Sequence, residues 1–433
     1  MSPAVKRVIA AMGANSFGQG IIVLTQLLSL PLYLHFWDMS RYGMWLMISA
    51  LPTYVSMTDV GMVTAAGTRM TMDMARGSVD AANAVFQSAF AFMLIVCGAV
   101  AALCIPLALL VPLKGLHTWD ERIALAVLLC STLLALFGGL NEAMFKATGR
   151  FASSLMVSNL TRLAEWAGWM AGLAIFGTFS AVAITGLVCR ALSLSIAIYA
   201  ANRGARGLRW GLAAASFSEI KSLIRPAVAF MSFPLSNALS IQGVTLLVGT
   251  LFGTATLAIF NAFRTLARIT TQATSIFAHS LNVEFATRYS VAGGSGVKDA
   301  YFHAVRLGAA IALATSLLVY LLSPPLLAFW SHHRIAFRAD LMSVLAVYAA
   351  FTGLWHVPRA LLISTNEHVG LSLWTLVWAA TSLLMSLALG KLLGVVGVAL
   401  GITLAEAGIA ITCNMVALHI ARASAGSAIV VKV

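Results

Sequence analysis

Long apolar runs separated by short polar connections account for nearly the whole chain. Twelve stretches, near residues 12–36, 42–64, 84–111, 122–144, 152–176, 180–201, 226–250, 253–280, 301–323, 340–363, 369–391 and 396–420, are each long enough to cross a bilayer, which takes roughly 20 mostly apolar residues in a helix. The pattern of the first six recurs in the last six. The sequence therefore predicts an all-α polytopic membrane protein of about 12 transmembrane helices in two six-helix bundles. Because each half has six spans, the halves share one orientation and are expected to be related by a pseudo-twofold axis along the membrane normal, with any cargo site between them near mid-depth. The predicted division is an N-terminal lobe over 1–205, a cytoplasmic linker over 206–225 and a C-terminal lobe over 226–433.

Composition agrees with lipid as the solvent. Of 433 residues, 60% are hydrophobic and 9% charged, and the mean hydropathy is +0.93, so too little polar surface exists to cover a soluble globule. Lys6 and Arg7 lead straight into a full-length span with no small-residue cleavage site after it, so the first span is expected to stay in the mature chain. Cys97, Cys104, Cys130, Cys189 and Cys413 all fall inside spans without metal-ligand spacing and read as small buried hydrophobes.

Basic residues set the orientation, since cytoplasmic loops carry the excess of Lys and Arg. The termini and even-numbered connections hold sixteen: Lys6, Arg7, Arg69, Arg76, Lys146, Arg150, Arg203, Arg206, Arg209, Lys221, Arg225, Arg288, Lys298, Arg359, Arg422 and Lys432. The opposite side holds six: Arg41, Lys114, Arg122, Arg334, Arg338 and Lys391. Both termini are expected in the cytoplasm, and the net charge of +13 is largely this bias. With no polar domain to carry a nucleic-acid interface, that partner is excluded. The linker reads either as a positive-inside connection or, over Trp210 to Ile224, as an amphipathic surface helix.

The duplication survives in a few positions. At an offset of 217, Gly177 and the six residues after it align with Gly394 onward, and Thr148-Gly149-Arg150 with Thr365-Asn366-Glu367. An offset of 215 places Tyr42-Gly43 opposite Leu257-Ala258.

A charge at the bilayer centre costs a few kcal/mol and should face a cavity or a partner. Arg162, Arg190, Arg264, Arg268 and Arg306 lie inside spans. In the eighth span Asn261, Arg264, Arg268, Gln272, Ser275 and His279 recur at three- or four-residue spacing, so they share one helix face, expected to line water or cargo. Arg162 and Glu165, three apart, are expected to pair within their helix, in a structural or gating role. Arg190 and Glu406 sit near mid-depth, whereas Arg306 is close enough to an end to snorkel. Asp59 can take a proton or bind an arginine from a neighbouring helix. Asn15, Gln19 and Gln26 line the first span at helical spacing, and Ser232, Pro234, Asn237 and Gln242 mark a bend in the seventh. His356 and Arg359 at the end of the tenth span can either hold a phosphate or serve as interfacial anchors. Trp37, Trp45, Trp119 and Trp330 are expected in the interfacial aromatic belt.

The chain resembles the polysaccharide-type (Wzx-like) flippases of the multidrug/oligosaccharidyl-lipid/polysaccharide exporter superfamily. The resemblance rests on Asn15, Gln26, Pro31, Arg41-Tyr42-Gly43-Met44-Trp45, Asp59-Val60-Gly61, the segment Phe145 to Phe151, and Gly394 with Gly397. It departs at Leu281-Asn282-Val283-Glu284-Phe285, where many relatives have a proline before the acid. The resemblance implies a multi-pass protein of the bacterial inner membrane that moves undecaprenyl-diphosphate-linked oligosaccharide (an O-antigen, capsule or exopolysaccharide unit) across it by alternating access. It also implies membrane lipids, a polysaccharide polymerase and a chain-length regulator as partners. Arg264, Arg268, Asn261, Gln272, Arg190, Arg162, Asn15, Gln26, His356 and Arg359 are the candidate cargo residues. Asp59, Glu165 and Glu406 are candidates for gating or for coupling to a proton or sodium gradient. No cofactor or metal is expected. The rival function is a cation-coupled multidrug antiporter of the same superfamily, although spans one and seven contain no acid. An enzyme is not expected, because no nucleophile–base pair, metal cluster or phosphate loop occurs.

Overall fold

In this computed structural model, residues 3–111, 115–205, 207–365 and 368–422 are described, and all their regular structure is helical. Lys114, Arg206, Asn366, Glu367 and Lys432 lie outside the described residues. The elements are α1 (Pro3–Phe36), α2 (Met39–Val55), α3 (Met62–Ala75), α4 (Val79–Leu110), α5 (Trp119–Ala147), α6 (Phe151–Ile175), α7 (Phe179–Asn202), α8 (Phe217–Ala238), a π-helical turn (Leu239–Gly243), α9 (Val244–Phe252), α10 (Thr254–Ser280), α11 (Asn282–Trp330), α12 (Ala339–Ser364) and α13 (His368–Arg422). Two compact units divide the chain, Met1–Pro234 and Leu235–Val433. The division therefore falls inside the predicted seventh span rather than in the linker, and α8 carries the chain across it.

Local chemistry sets the helix ends. Thr118 and Glu121 form a reciprocal capping box at the start of α5, and Asp38 and Thr178 cap α2 and α7. Gly177 (φ 69°), between α6 and α7, and Gly394 (φ 66°, ψ −150°), which splits α13 into two helical arms, take backbone conformations that strongly favour glycine. These are the two glycines paired by the 217 offset.

In the first unit α3, α4 and α5 enclose Met62, Met70, Phe86, Met93, Leu140 and Met144. α6 and α7 approach closely through small residues: a methyl group on Gly172 would strike Thr185 and the Ala181 carbonyl, and one on Gly186 would strike Trp169. In the second unit Phe285, Tyr301, Leu361, Leu362 and Cys413 form the core. Outward faces are apolar: Ile95 and Leu103 on α4 are each 69% exposed, as a lipid-facing surface requires. Eight described helices are long and apolar enough to cross a membrane, among them the kinked α13 (Gly370–Arg422). The chain is a multi-pass membrane protein.

Several expectations are corrected. The second span is not one helix over 42–64: residues 56–61 form turns between α2 and α3, with Val60 at φ 51° and Gly61 at φ 77°. The predicted loop before the ninth span is helical and continuous with it in α11. The linker is not a surface helix from Trp210, because residues 207–216 run irregularly along α4. Gln87 there donates to the Arg209 carbonyl (3.1 Å) and accepts from the Ala214 amide (2.6 Å), and Trp210 packs edge-on against Phe86 and Phe90. Trp37 and Trp45, near the α1–α2 connection, are buried in a protein cluster with Tyr33, Tyr42 and Phe179, and the Trp37 indole donates to the Gly177 carbonyl (2.7 Å).

Candidate functional site

The second unit gathers its buried polarity where α10, α12 and the second arm of α13 meet the π-helical turn. Arg264, Arg268, Tyr348, Trp378, Ser382 and Glu406 line one cavity of about 30 Å³ there, together with Ser240 and Ile241 of the π turn. Such a volume holds about one or two waters.

The two arginines of the α10 face have different roles. Arg264 is 6% exposed, with Nη1 on the Ile241 carbonyl (3.1 Å) and Nη2 on Thr245 Oγ1 (2.8 Å) and Asn261 Oδ1 (3.1 Å). Its guanidinium also lies 5.5 Å from the Phe260 ring centre. A π turn takes its carbonyls out of α-helical register, and the Ile241 oxygen takes Arg264 and the Thr245 hydroxyl (2.8 Å) as donors. Arg264 is thus satisfied by neutral acceptors on the π turn, on α9 and on its own helix, while it lines the small cavity together with Arg268. Arg268, one turn further on, is half-buried and makes no ion pair or side-chain hydrogen bond among the described residues. Exposure increases along the face, with Gln272 and Ser275 half-buried and His279 exposed.

Glu406 accepts from the Trp355 indole at 2.9 Å. Next to Trp355, His356 is tied to Thr274 through Nδ1 (2.8 Å), and the Arg359 guanidinium stacks 5.5 Å from the Trp355 ring centre. His356 and Arg359 therefore both stand against intramolecular partners beside Trp355.

In the first unit, Glu165 pairs with Arg190 of α7 and accepts from Ser131 Oγ of α5 (2.9 Å), while Arg190 Nη1 lies 3.4 Å from the Ser131 carbonyl. This corrects the expected Arg162–Glu165 pair: Glu165 is buried and turned towards α5 and α7, and Arg162 is exposed. The Asp59 carboxylate accepts from the Gly61 amide (3.2 Å) inside the broken second span. Asn15 and Arg306 are exposed and Gln26 half-buried. Asn159, which sequence reasoning passed over, donates to the Ala14 carbonyl (2.9 Å) and fixes α6 on α1.

The repeat offset links the two clusters. Adding 217 carries Ser131, Glu165 and Arg190 to Tyr348, Ser382 and Ala407, the neighbour of Glu406. Tyr348, Ser382 and Glu406 all line the cavity of the second unit. Sequence reasoning had this offset but did not apply it to Tyr348 and Ser382.

No family model and no curated protein matches the chain. Solved structures do. An inward-facing multidrug resistance MATE family transporter of the MOP superfamily aligns with a TM-score of 0.67 at 15% identity, covering 92% of this chain and 97% of that one. An outward-facing structure of such a transporter aligns at 0.63 and 14% identity, covering 96% and 95%. A MATE structure in a straight conformation aligns at 0.63 and 15%, covering 97% and 96%. At this level of identity the likeness establishes the fold: this chain has the architecture of the MATE transporters.

Proposed function

We propose that this chain is an alternating-access membrane transporter. The observation that carries the reading is end-to-end likeness to both inward-facing and outward-facing transporter structures, each covering more than nine-tenths of the chain. The basic bias of the even-numbered connections supports cytoplasmic termini, and a bacterial inner membrane is the setting that the flippase resemblance supplies.

Two cargo readings have separate support. A cation-coupled multidrug antiporter has the more direct support from the comparisons, since the neighbours of known structure are multidrug resistance transporters. A flippase for lipid-linked oligosaccharide is supported by this chain's own charges. With Arg190 paired to Glu165 and Arg264 committed to its neighbours, three of the five arginines inside spans, Arg162, Arg268 and Arg306, make no ion pair among the described residues, and Arg306 lies near a span end. Such groups offset the lost hydration of an anion such as a diphosphate. On that reading a polymerase and a chain-length regulator are the expected protein partners, and neither reading needs a cofactor.

The test is complementation of a flippase-null bacterium alongside dye efflux from cells expressing the chain. Restored surface glycan that is lost in an equally abundant Arg162→Ala/Arg268→Ala variant selects the flippase. Efflux of cationic dyes without restored glycan selects the antiporter, and failure of both, with correctly folded protein in the membrane, overturns the transporter reading.

A further inference from the structure

Glu406 differs from the other buried carboxylate at the equivalent level of the repeat. Glu165 is closed off by the Arg190 guanidinium and the Ser131 hydroxyl. Glu406 has the Trp355 indole and the Thr352 hydroxyl as neutral partners, no ion pair among the described residues, and lines the small cavity. The charged and titratable groups facing it there are Arg264 and Arg268 from α10 and Tyr348 from α12, while α13 adds the neutral Ser382 and Trp378 and apolar residues. Arg264 already spends its Nη donors on Ile241, Thr245 and Asn261, so Arg268 is the guanidinium left to balance a carboxylate. The two lie on different helices and are not in salt-bridge contact in this structure. The space between these groups admits water and not a cargo molecule.

We propose that Glu406 is a proton-binding site of the second unit, with Arg268 as its switchable charge partner. When Glu406 is ionised, Arg268 neutralises it across the cavity. When a proton delivered through cavity water converts the carboxylate to the acid, Arg268 loses its counter-charge and becomes available to an anion. The proton adds to a Glu406 oxygen, no other bond forms or breaks, and the site's net charge rises by one. A water-sized cavity serves this exchange, whereas a cargo site would need a larger one. The proposal uses the transporter reading only for its purpose; the site itself can be tested without cargo.

The experiment is infrared titration of the full-length protein in lipid nanodiscs, following the carboxylic acid C=O band between about pH 5 and 8. Wild type should show a band lost as pH rises, and Glu406→Gln should lack that component. Arg268→Met should move its midpoint to higher pH, because removing a nearby positive charge favours the neutral acid. Glu165→Gln should leave the component in place. A component that survives Glu406→Gln, or no titrating band at all, overturns the site; an unmoved midpoint in Arg268→Met overturns the partnership. Glu406→Asp keeps the proton chemistry and should retain a titrating band, which guards against a folding artefact. Because no cargo is added, loss of transport in a separate flux assay bears on the proposed function and leaves the titration result standing.

Discussion

The two units follow one six-helix plan but treat buried charge in opposite ways. At the level fixed by Ser131, Glu165 and Arg190, the first unit closes an ion pair and a hydroxyl hydrogen bond within α5, α6 and α7. At the matching level of the second, Tyr348, Ser382 and Glu406 line a cavity whose two cations, Arg264 and Arg268, both come from a different helix, α10; Arg264 is held by neutral acceptors, and Arg268 makes no ion pair among the described residues. The close packing around the two sites is similar: Gly168, Gly172 and Gly186 bring α6 against α7, and Gly397, Gly401 and Gly408 bring the two arms of α13 together. The second unit adds a π turn beside its cavity, whose Ile241 carbonyl accepts from Arg264 and Thr245. Duplication preserved the position of polarity and not its chemistry. A sealed pair holds helices together, and an unsealed carboxylate beside a guanidinium can change state.

The largest effect should come from breaking the sealed pair. Arg190→Ala leaves the 3% exposed Glu165 uncompensated, and removing one partner of a buried pair costs about 3–5 kcal/mol. The unfolding midpoint in mild detergent should fall accordingly, whereas Glu165→Leu with Arg190→Met should recover most of the loss. If the single and double variants unfold alike, the pair is not the fastening described here.

Next in size is Arg264→Met, which strips donors from the Ile241 carbonyl, Thr245 and Asn261 at once. Leaving buried acceptors unsatisfied costs about 1–3 kcal/mol. Arg264→Lys should recover only part of this, since one ammonium cannot reach acceptors that the guanidinium spans. Thermal unfolding of the three proteins checks the order wild type, lysine, methionine. A methionine variant as stable as wild type would assign Arg264 to the cargo face.

Glycine tests the duplication itself. Gly394, at φ 66° and ψ −150°, occupies a region almost closed to other residues, and Gly177 has φ 69°. Alanine at Gly394 should cost about 1–3 kcal/mol, and alanine at Gly177 about 1–2. Equivalent losses would confirm that both interhelix turns do one job, while a silent Gly394→Ala would detach the α13 bend from the repeat.

Much of this architecture was legible in the sequence because hydrophobic length is a strong signal. Spans such as 84–111 and 180–201 agree with α4 and α7 to within a few residues at most ends. The break at residues 56–61 was visible only as the polar, turn-favouring run Ser56, Thr58, Asp59 and Gly61, which the apolar residues on either side outweighed in a reading by span length. Arginine inside a span was also visible, but its partner was not: helical spacing offered Glu165 to Arg162, and tertiary packing gave it to Arg190. The role of Arg264 depended on a π turn, which leaves no periodic trace in five residues. Site chemistry in a helical membrane protein depends on which helices are neighbours, and one sequence read along its length does not supply that.

The smallest expected stability effect gives the sharpest contrast. Glu165→Gln and Glu406→Gln remove the same charge from nearly the same volume, so packing cannot separate them. In the first unit the amide leaves the Arg190 guanidinium, half-buried among α5 to α7, without its anion. Hydrogen bonds to charged groups are worth about 1.5–3 kcal/mol, and a loss of that order is expected. In the second unit the amide oxygen still accepts from the Trp355 indole, and no formed ion pair is lost, so the change should be clearly the smaller of the two. Unequal unfolding midpoints, with Glu165→Gln lower, would mean that one carboxylate is structural and the other is kept for a change of charge. Equal and large losses would place Glu406 in a closed pair like that of the first unit and remove the asymmetry between the units.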